Sequence, residues 1–181
     1  MRAYQFTGYG PIASNVALAD IPDPVVRPGE VLIEIHAASL NPIDYKIVRG
    51  DLRRVSSYTL PHRLGYDLSG VVTAAGAAVS RFKPGDTVFA RTSGDSIGSF
   101  AEKIVLDQDY VAIKPSRLSY AEAASLALVG LTTMQGLIDR VHAKAGQSIL
   151  IHAGSGGVGT FAVQYCKHLG LNVTATTSSR N

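Results

Sequence analysis

Ser148-Ile149-Leu150-Ile151-His152-Ala153-Gly154-Ser155-Gly156-Gly157-Val158-Gly159 is the stretch that decides how this chain folds. It opens with a short, continuously apolar run of the kind buried in parallel sheets. It then passes into glycines at 154, 156 and 159, the spacing G-x-G-x-x-G. The three glycines have separate physical jobs: Gly154 permits a tight turn, Gly156 lets the backbone approach a pyrophosphate, and Gly159 lets helix and strand pack closely. The free amides near Gly157 and Val158, beside Ser155, then face an anion at a helix N-terminus. Glycine-rich turns are common, so the pattern counts only where it follows a strand and opens a helix inside a β-α-β unit. That context is predicted. A helix should run from about Gly157 to Leu169, stopped by Gly170 at its C′ position, and Asn172–Thr176 should be a second strand. The loop therefore reads as dinucleotide-binding rather than as a merely structural turn.

Which dinucleotide is decided at the end of that second strand, where an NAD site wants Asp or Glu for the ribose 2′-hydroxyl. The chain instead has Thr176-Thr177-Ser178-Ser179-Arg180-Asn181, with no acid. The hydroxyls of Ser178 and Ser179 and the guanidinium of Arg180 suit a 2′-phosphate, which Arg can grip bidentately. NADPH is the expected cofactor, against the plainer reading of an ordinary polar loop.

Upstream, Ser119-Tyr120-Ala121-Glu122 is a capping box, followed by an Ala- and Leu-rich helical stretch. The helix is expected to be interrupted near Gly130 and to resume from Thr132 to about Val141. Before Pro115 the grammar is different. Val31–Ala37, Leu68–Ala75, Thr87–Ala90, Ser99–Leu106 and Tyr110–Lys114 read as strands between turns such as Arg27-Pro28-Gly29-Glu30 and Phe82-Lys83-Pro84-Gly85-Asp86. Strands at that spacing predict a small closed or nearly closed β-barrel. The fold class is thus α+β followed by α/β, with a domain boundary at 117/118.

Composition removes other classes. With 46% hydrophobic and 17% charged residues in 181, the chain can bury a core and is not disordered. The lone Cys166 excludes a disulfide framework and a cysteine-rich zinc cluster, and no two of the five histidines sit three to five apart. No uninterrupted run of about 18 apolar residues exists, and Met1-Arg2-Ala3-Tyr4 begins without a signal peptide's apolar stretch. A cytoplasmic location and no membrane partner are expected. The net charge of +3 arises after residue 115, where Arg117, Arg140, Lys144, Lys167 and Arg180 face only Glu122 and Asp139. That is too little for a nucleic-acid footprint. Arg49, Arg53, Arg54 and Arg63 form the only basic concentration, read as a solvated loop.

Several ordered motifs go further. They include Asn41-Pro42-Ile43-Asp44-Tyr45-Lys46, Leu60-Pro61 before Gly65-Tyr66-Asp67-Leu68-Ser69-Gly70-Val71-Val72, and Phe82–Val88. They continue through Lys114-Pro115-Ser116, Glu122–Leu126, Leu131–Leu137 and the glycine loop. Through them the chain resembles the medium-chain dehydrogenase/reductases, and more narrowly their zinc-free quinone oxidoreductase and alkenal (enone) reductase branch. The resemblance implies a GroES-like substrate domain over 1–117, then the first β-α-β unit of a Rossmann NADP-binding domain over 118–181, with the active site in the cleft between them. It implies that the zinc branch would carry Cys where this chain has Asn41 and Gly-His-Glu where it has Gly65-Tyr66-Asp67, so no metal site and no zinc are expected.

Without a metal Lewis acid, alcohol oxidation loses its main means of stabilising an alkoxide. Hydride addition to a quinone or to the C=C bond of an α,β-unsaturated carbonyl needs only a donor or cation near the carbonyl oxygen. The resemblance places Lys46 and Tyr66 there as catalytic candidates. It assigns Asn41 to positioning substrate or nicotinamide, and Thr132 to the nicotinamide border. The plainer alternatives are a surface ammonium at Lys46 and a packed core aromatic at Tyr66. A doubly wound domain usually has six parallel strands, and the sequence supplies two, so the chain reads as C-terminally shortened. Three readings follow: an NADPH-dependent quinone or enone reductase, a zinc-free alcohol dehydrogenase-like oxidoreductase, and a non-catalytic module whose sheet edge pairs with another chain. Family members commonly form homodimers through the dinucleotide-binding domain.

Overall fold

Buried and exposed side chains alternate from the first residues onward. In the computed structural model, which describes residues 1–181 with Asp95 described by its backbone alone, β1 (Arg2–Phe6) buries Ala3 and Phe6. A single turn of helix, α1 (Ile12–Asn15), leads into β2 (Val16–Asp20), which pairs antiparallel with β1. β3 (Glu30–Ser39) is followed by α2 (Pro42–Arg49), and the two-residue β4 (His62–Arg63) closes the order β2-β1-β4. The remaining strands, β5 (Asp67–Ala75), β6 (Thr87–Arg91), β7 (Lys103–Asp107) and β8 (Val111–Ile113), complete a five-stranded antiparallel sheet in the order β7-β3-β5-β6-β8. The two sheets meet at an Ala3–Ala101 bridge, giving a nearly closed β arrangement.

The core of this unit is the inner face of the larger sheet, with Val31, Ile33, Leu68, Val72, Val88 and Ile104 almost wholly shielded from water. β3 is bulged where it meets β5, and the two backbones come so close that a Cβ on Gly70 would lie 1.9 Å from the Glu34 carbonyl oxygen. One strand starts later than expected. Residues 98–101 do not begin β7; Gly98 and Phe100 instead donate to the carbonyls of Gly65 and Leu64, and Phe100 accepts from Tyr4.

The chain divides into two compact units, Met1–Ser125 and Leu126–Asn181. The division falls inside α3 (Tyr120–Met134), a few residues beyond the 117/118 boundary drawn from the sequence. The capping box is formed: Ser119 donates its backbone N–H to Glu122 at 2.8 Å, and Glu122 donates its own to Ser119 Oγ at 3.2 Å. The interruption expected near Gly130 does not occur. A Cβ there would stand 3.4 Å from the Phe161 ring, so the small residue serves helix packing. The departure from α geometry comes later, over Gln135–Arg140, where the helix widens to π-type hydrogen bonds. Together Tyr120–Arg140 is 21 residues, long and apolar enough by length and composition to cross a membrane. Counting only uninterrupted apolar residues overlooked it. Ala123, Ala124, Ala127 and Thr133 on this helix are buried within the protein.

In the second unit β9 (Ser148–Ile151), α4 (Gly157–His168) and β10 (Asn172–Ala175) form the β-α-β unit, the strands parallel with Ser148 opposite Asn172 and Ile151 opposite Ala175. Cys166 and Leu171 pack with Leu137, Ile149 and Ile151 to fill it. Gly170, at φ 78, ends α4 as expected.

Candidate functional site

The glycine loop and the end of β10 lie side by side. Gly154 donates its N–H to the Thr176 carbonyl at 2.8 Å, and Thr176 donates to Ile151 at 2.9 Å. The turn residue is not the expected one: Ala153, at φ 55, takes the left-handed conformation. Gly154 is required for another reason, since its Cβ would lie 2.9 Å from that of Ala175. Gly159 allows the close approach expected of it, because a Cβ there would fall 2.2 Å from the Ala153 carbonyl oxygen.

Gly156 is different. Its φ of −77° and ψ of 168° suit any residue, and a Cβ would meet only the Ala153 oxygen, at 3.4 Å. The fold itself does not demand glycine there. Gly156 immediately precedes the N-terminus of α4, where the amides of Gly157 and Val158 lack intrahelical acceptors. In the same loop Ser155 Oγ accepts from Thr177 Oγ1 and from Asn181 Nδ2, each at 3.1 Å, and Asn181 also reaches Ser178 Oγ at 3.2 Å. Ser179 and Arg180 are exposed beside them, and Arg180 makes no ion pair among the described residues. Thr132 is exposed on α3, whereas its neighbour Thr133 is buried.

The first unit gathers a second set of residues. Asn41 caps α2 ahead of Pro42, and its backbone N–H donates to the Asp44 carboxylate at 2.7 Å. Its side-chain amide donates to Asp67 Oδ2 at 2.9 Å, an oxygen that also accepts from Ser39 Oγ at 2.9 Å. A carboxylate only accepts, so the Asn41 nitrogen must face Asp67 and its carbonyl oxygen must face the other way. Asp44 is 5% exposed, and burial lifts its carboxyl to about 6, against the pull of the Asn41 N–H and with a further push from Asp67. Asp44 and Asp67 stand within the Asn41–Lys46 and Gly65–Val72 motifs, and local sequence assigns neither a role. The available signal was Asn41-Pro42-Ile43-Asp44, an N-cap with an acid at N3.

Tyr66 is 5% exposed, and its hydroxyl lies 3.3 Å from that of Tyr58. Burial holds its phenol well above the usual range. The Arg91 guanidinium stands 5.4 Å from the centre of its ring. Lys46 is exposed on α2, whose buried residues are Asp44, Ile47 and Val48, so it is not drawn into this cluster. Among the described residues no three His, Cys, Asp or Glu side chains come together to hold a metal. A separate, mostly apolar groove of about 710 Å³ runs past Tyr4, Leu18, Ile35, Leu40 and Tyr45, and of the polar cluster only Asp44 reaches it.

Residues 27–116 match the alcohol dehydrogenase GroES-like domain. The whole chain is 40% identical to a quinone-oxidoreductase homolog, chloroplastic, of Spinacia oleracea, spanning 56% of that protein. Over 99% of its length it is 37% identical to the NADPH-dependent alkenal/one oxidoreductase, chloroplastic, of Arabidopsis thaliana, spanning 48% of it. The quinone oxidoreductase structure from Coxiella burnetii superposes on 100% of the chain and 57% of its own, with a TM-score of 0.87 and 39% identity. The chain belongs to the medium-chain dehydrogenase/reductase superfamily. Within it, its relatives are quinone oxidoreductases and alkenal reductases, and it spans about half the length of the curated members it matches. Membership in this superfamily accounts for a GroES-like unit followed by a strand-loop-helix with glycines at 154, 156 and 159.

Proposed function

We propose that this chain carries substrate- and cofactor-binding residues of an NADPH-dependent oxidoreductase that reduces a quinone, or the C=C bond of an α,β-unsaturated carbonyl, without zinc. The observation that carries the reading is Gly156, a glycine the fold does not itself need, beside a strand end of hydroxyls and a guanidinium with no acid. The donor set fits a phosphorylated dinucleotide. The amides of Gly157 and Val158 would meet its pyrophosphate, with Gly154, Ser155 and Gly159 shaping the loop, and Ser178, Ser179 and Arg180 would meet its 2′-phosphate. When bound, reduced nicotinamide supplies the hydride. The names of the Arabidopsis and Spinacia relatives point to the same chemistry.

The chain's own residues would do the rest. Asp67 holds the Asn41 amide nitrogen, which fixes the orientation of this side chain at the start of α2. Tyr66, whose phenol is held above the usual range by burial, keeps its proton, and the Tyr58–Tyr66 hydroxyl pair can donate one hydrogen bond to the negative charge that develops on a carbonyl oxygen. Thr132, exposed on α3, is assigned to the nicotinamide border, and Lys46 is a cation open to an approaching substrate. The test is absorbance at 340 nm with the 181-residue chain. NADPH should be consumed with a 1,4-quinone or an enone, and NADP should not be reduced by simple alcohols. Alcohol-dependent reduction, or no turnover with either acceptor, would overturn the reading.

A further inference from the structure

We infer that Tyr58, rather than the buried Tyr66, is the hydroxyl that the pair presents to a carbonyl substrate, with Tyr66 as the positioning residue behind it. The inference rests on the reductase reading above and adds a residue that the motifs do not point to. A tyrosine hydroxyl has one proton to give and can accept as well. The two hydroxyls are 3.3 Å apart, and only one can donate across that gap. Tyr66 is the shielded member and keeps its proton, so its donation is best spent on the one oxygen beside it. That leaves the O–H of Tyr58 uncommitted to Tyr66, and an accepting hydroxyl is polarised into a stronger donor.

Tyr58 is also placed for the task. It is half-buried, in the connection between α2 and β4. Its backbone N–H donates to the Tyr9 hydroxyl at 3.2 Å. Its ring packs edge-on to Phe6 at 5.8 Å and against His62 at 4.9 Å, so it is oriented by packing from two sides. The groups around the pair are not neutral. Arg91 lies over the Tyr66 ring, and its positive charge favours ionisation of that phenol. Asp44 acts on Tyr66 in the opposite sense, opposing ionisation of the phenol. No covalent bond at Tyr58 is made or broken; it donates a hydrogen bond to the carbonyl oxygen while hydride and proton are delivered from elsewhere.

The experiment uses the full 181-residue chain labelled with 13Cζ-tyrosine, its eight tyrosines assigned by single Tyr→Phe variants. Cyclohexenone is the probe, and its own binding is followed separately by saturation transfer. The expected result is a Tyr58 resonance that moves on addition of the enone, and a Tyr58→Phe chain that binds it about tenfold more weakly, the loss of one good hydrogen bond. Tyr66→Phe should cost less, roughly threefold, because the outer hydroxyl remains. A bound enone that moves Tyr66 and leaves Tyr58 unchanged would overturn the inference alone. An enone that does not bind at all would overturn the reductase reading with it. The resonance shift is read on the unaltered chain, so it stands even if a variant folds poorly.

Discussion

Replacing Gly156 with alanine separates the needs of the fold from those of a ligand. The backbone there is already at φ −77°, ψ 168°, which alanine adopts without strain, and the new Cβ would touch only the Ala153 oxygen at 3.4 Å. Exchanging glycine for alanine at a helix N-cap costs at most about 1 kcal/mol. The β-α-β unit should therefore melt within several degrees of the parent. Binding should respond quite differently. The methyl adds bulk next to the Gly157 amide that would hold a pyrophosphate, and pushing a phosphate oxygen out of hydrogen-bond range forfeits one or more charge-assisted bonds of about 1.5–3 kcal/mol each. NADPH affinity should fall roughly 10- to 150-fold. Gly159→Ala is the contrasting case: its Cβ would lie 2.2 Å from the Ala153 oxygen and 2.7 Å from Gly154 Cα, both backbone atoms. That variant should lose about 3 kcal/mol or more of stability. Circular-dichroism melts and NADPH fluorescence titrations on both variants read the difference. A Gly156→Ala chain that folds and binds NADPH like the parent would show that Gly156 makes no room for a pyrophosphate.

Three further outcomes are expected. Gly70→Ala puts a Cβ 1.9 Å from the Glu34 carbonyl oxygen in the middle of the β3–β5 pairing, and should destabilise the first unit by about 3 kcal/mol or more in thermal melts. Asp44 titrates near 6 in the fold against an ordinary 3.8, so the folded chain holds this proton longer than the unfolded one. Its contribution to stability should thus fall as pH rises from about 4 to 6. At about 1.36 kcal/mol per pH unit, reduced for the water reaching it from the groove, this comes to about 2 kcal/mol. Asp44→Asn should flatten that part of the stability profile in denaturant melts at pH 4, 5, 6 and 7. Arg180→Ala should weaken NADPH binding roughly tenfold or more and leave NADH unchanged, read by paired titrations.

Parts of this architecture can be read directly from local pattern. β9, α4 and β10 each carry their own signal, an apolar strand, a glycine-opened helix and a Gly170 stop, and the capping box at Ser119 forms as spaced. α2 is weakly marked in sequence because Ile43, Ile47 and Val48 are β-branched, leaving Pro42 and the Asn41–Asp44 spacing to mark its start. β1 and β2 are five-residue strands whose pairing is made across the α1 turn, with little composition to announce them. Gly130 looks like a breaker in sequence, yet what matters is the Phe161 ring facing it, a contact no local rule supplies. The polar cluster was the least legible. Asn41 and Asp67 lie 26 residues apart, and Tyr58 reaches Tyr66 only because the connection before β4 folds back over Phe6.

On the reading proposed here, the loop at 154–159 and the strand end at 176–181 form one site for a 2′-phosphorylated dinucleotide. That reading is tested most directly by titrating the 181-residue chain with NADPH and, in parallel, with NADH, following cofactor fluorescence. Saturable NADPH binding at least about tenfold tighter than NADH is the predicted result. Equal affinities, tighter NADH, or no binding of either would contradict it.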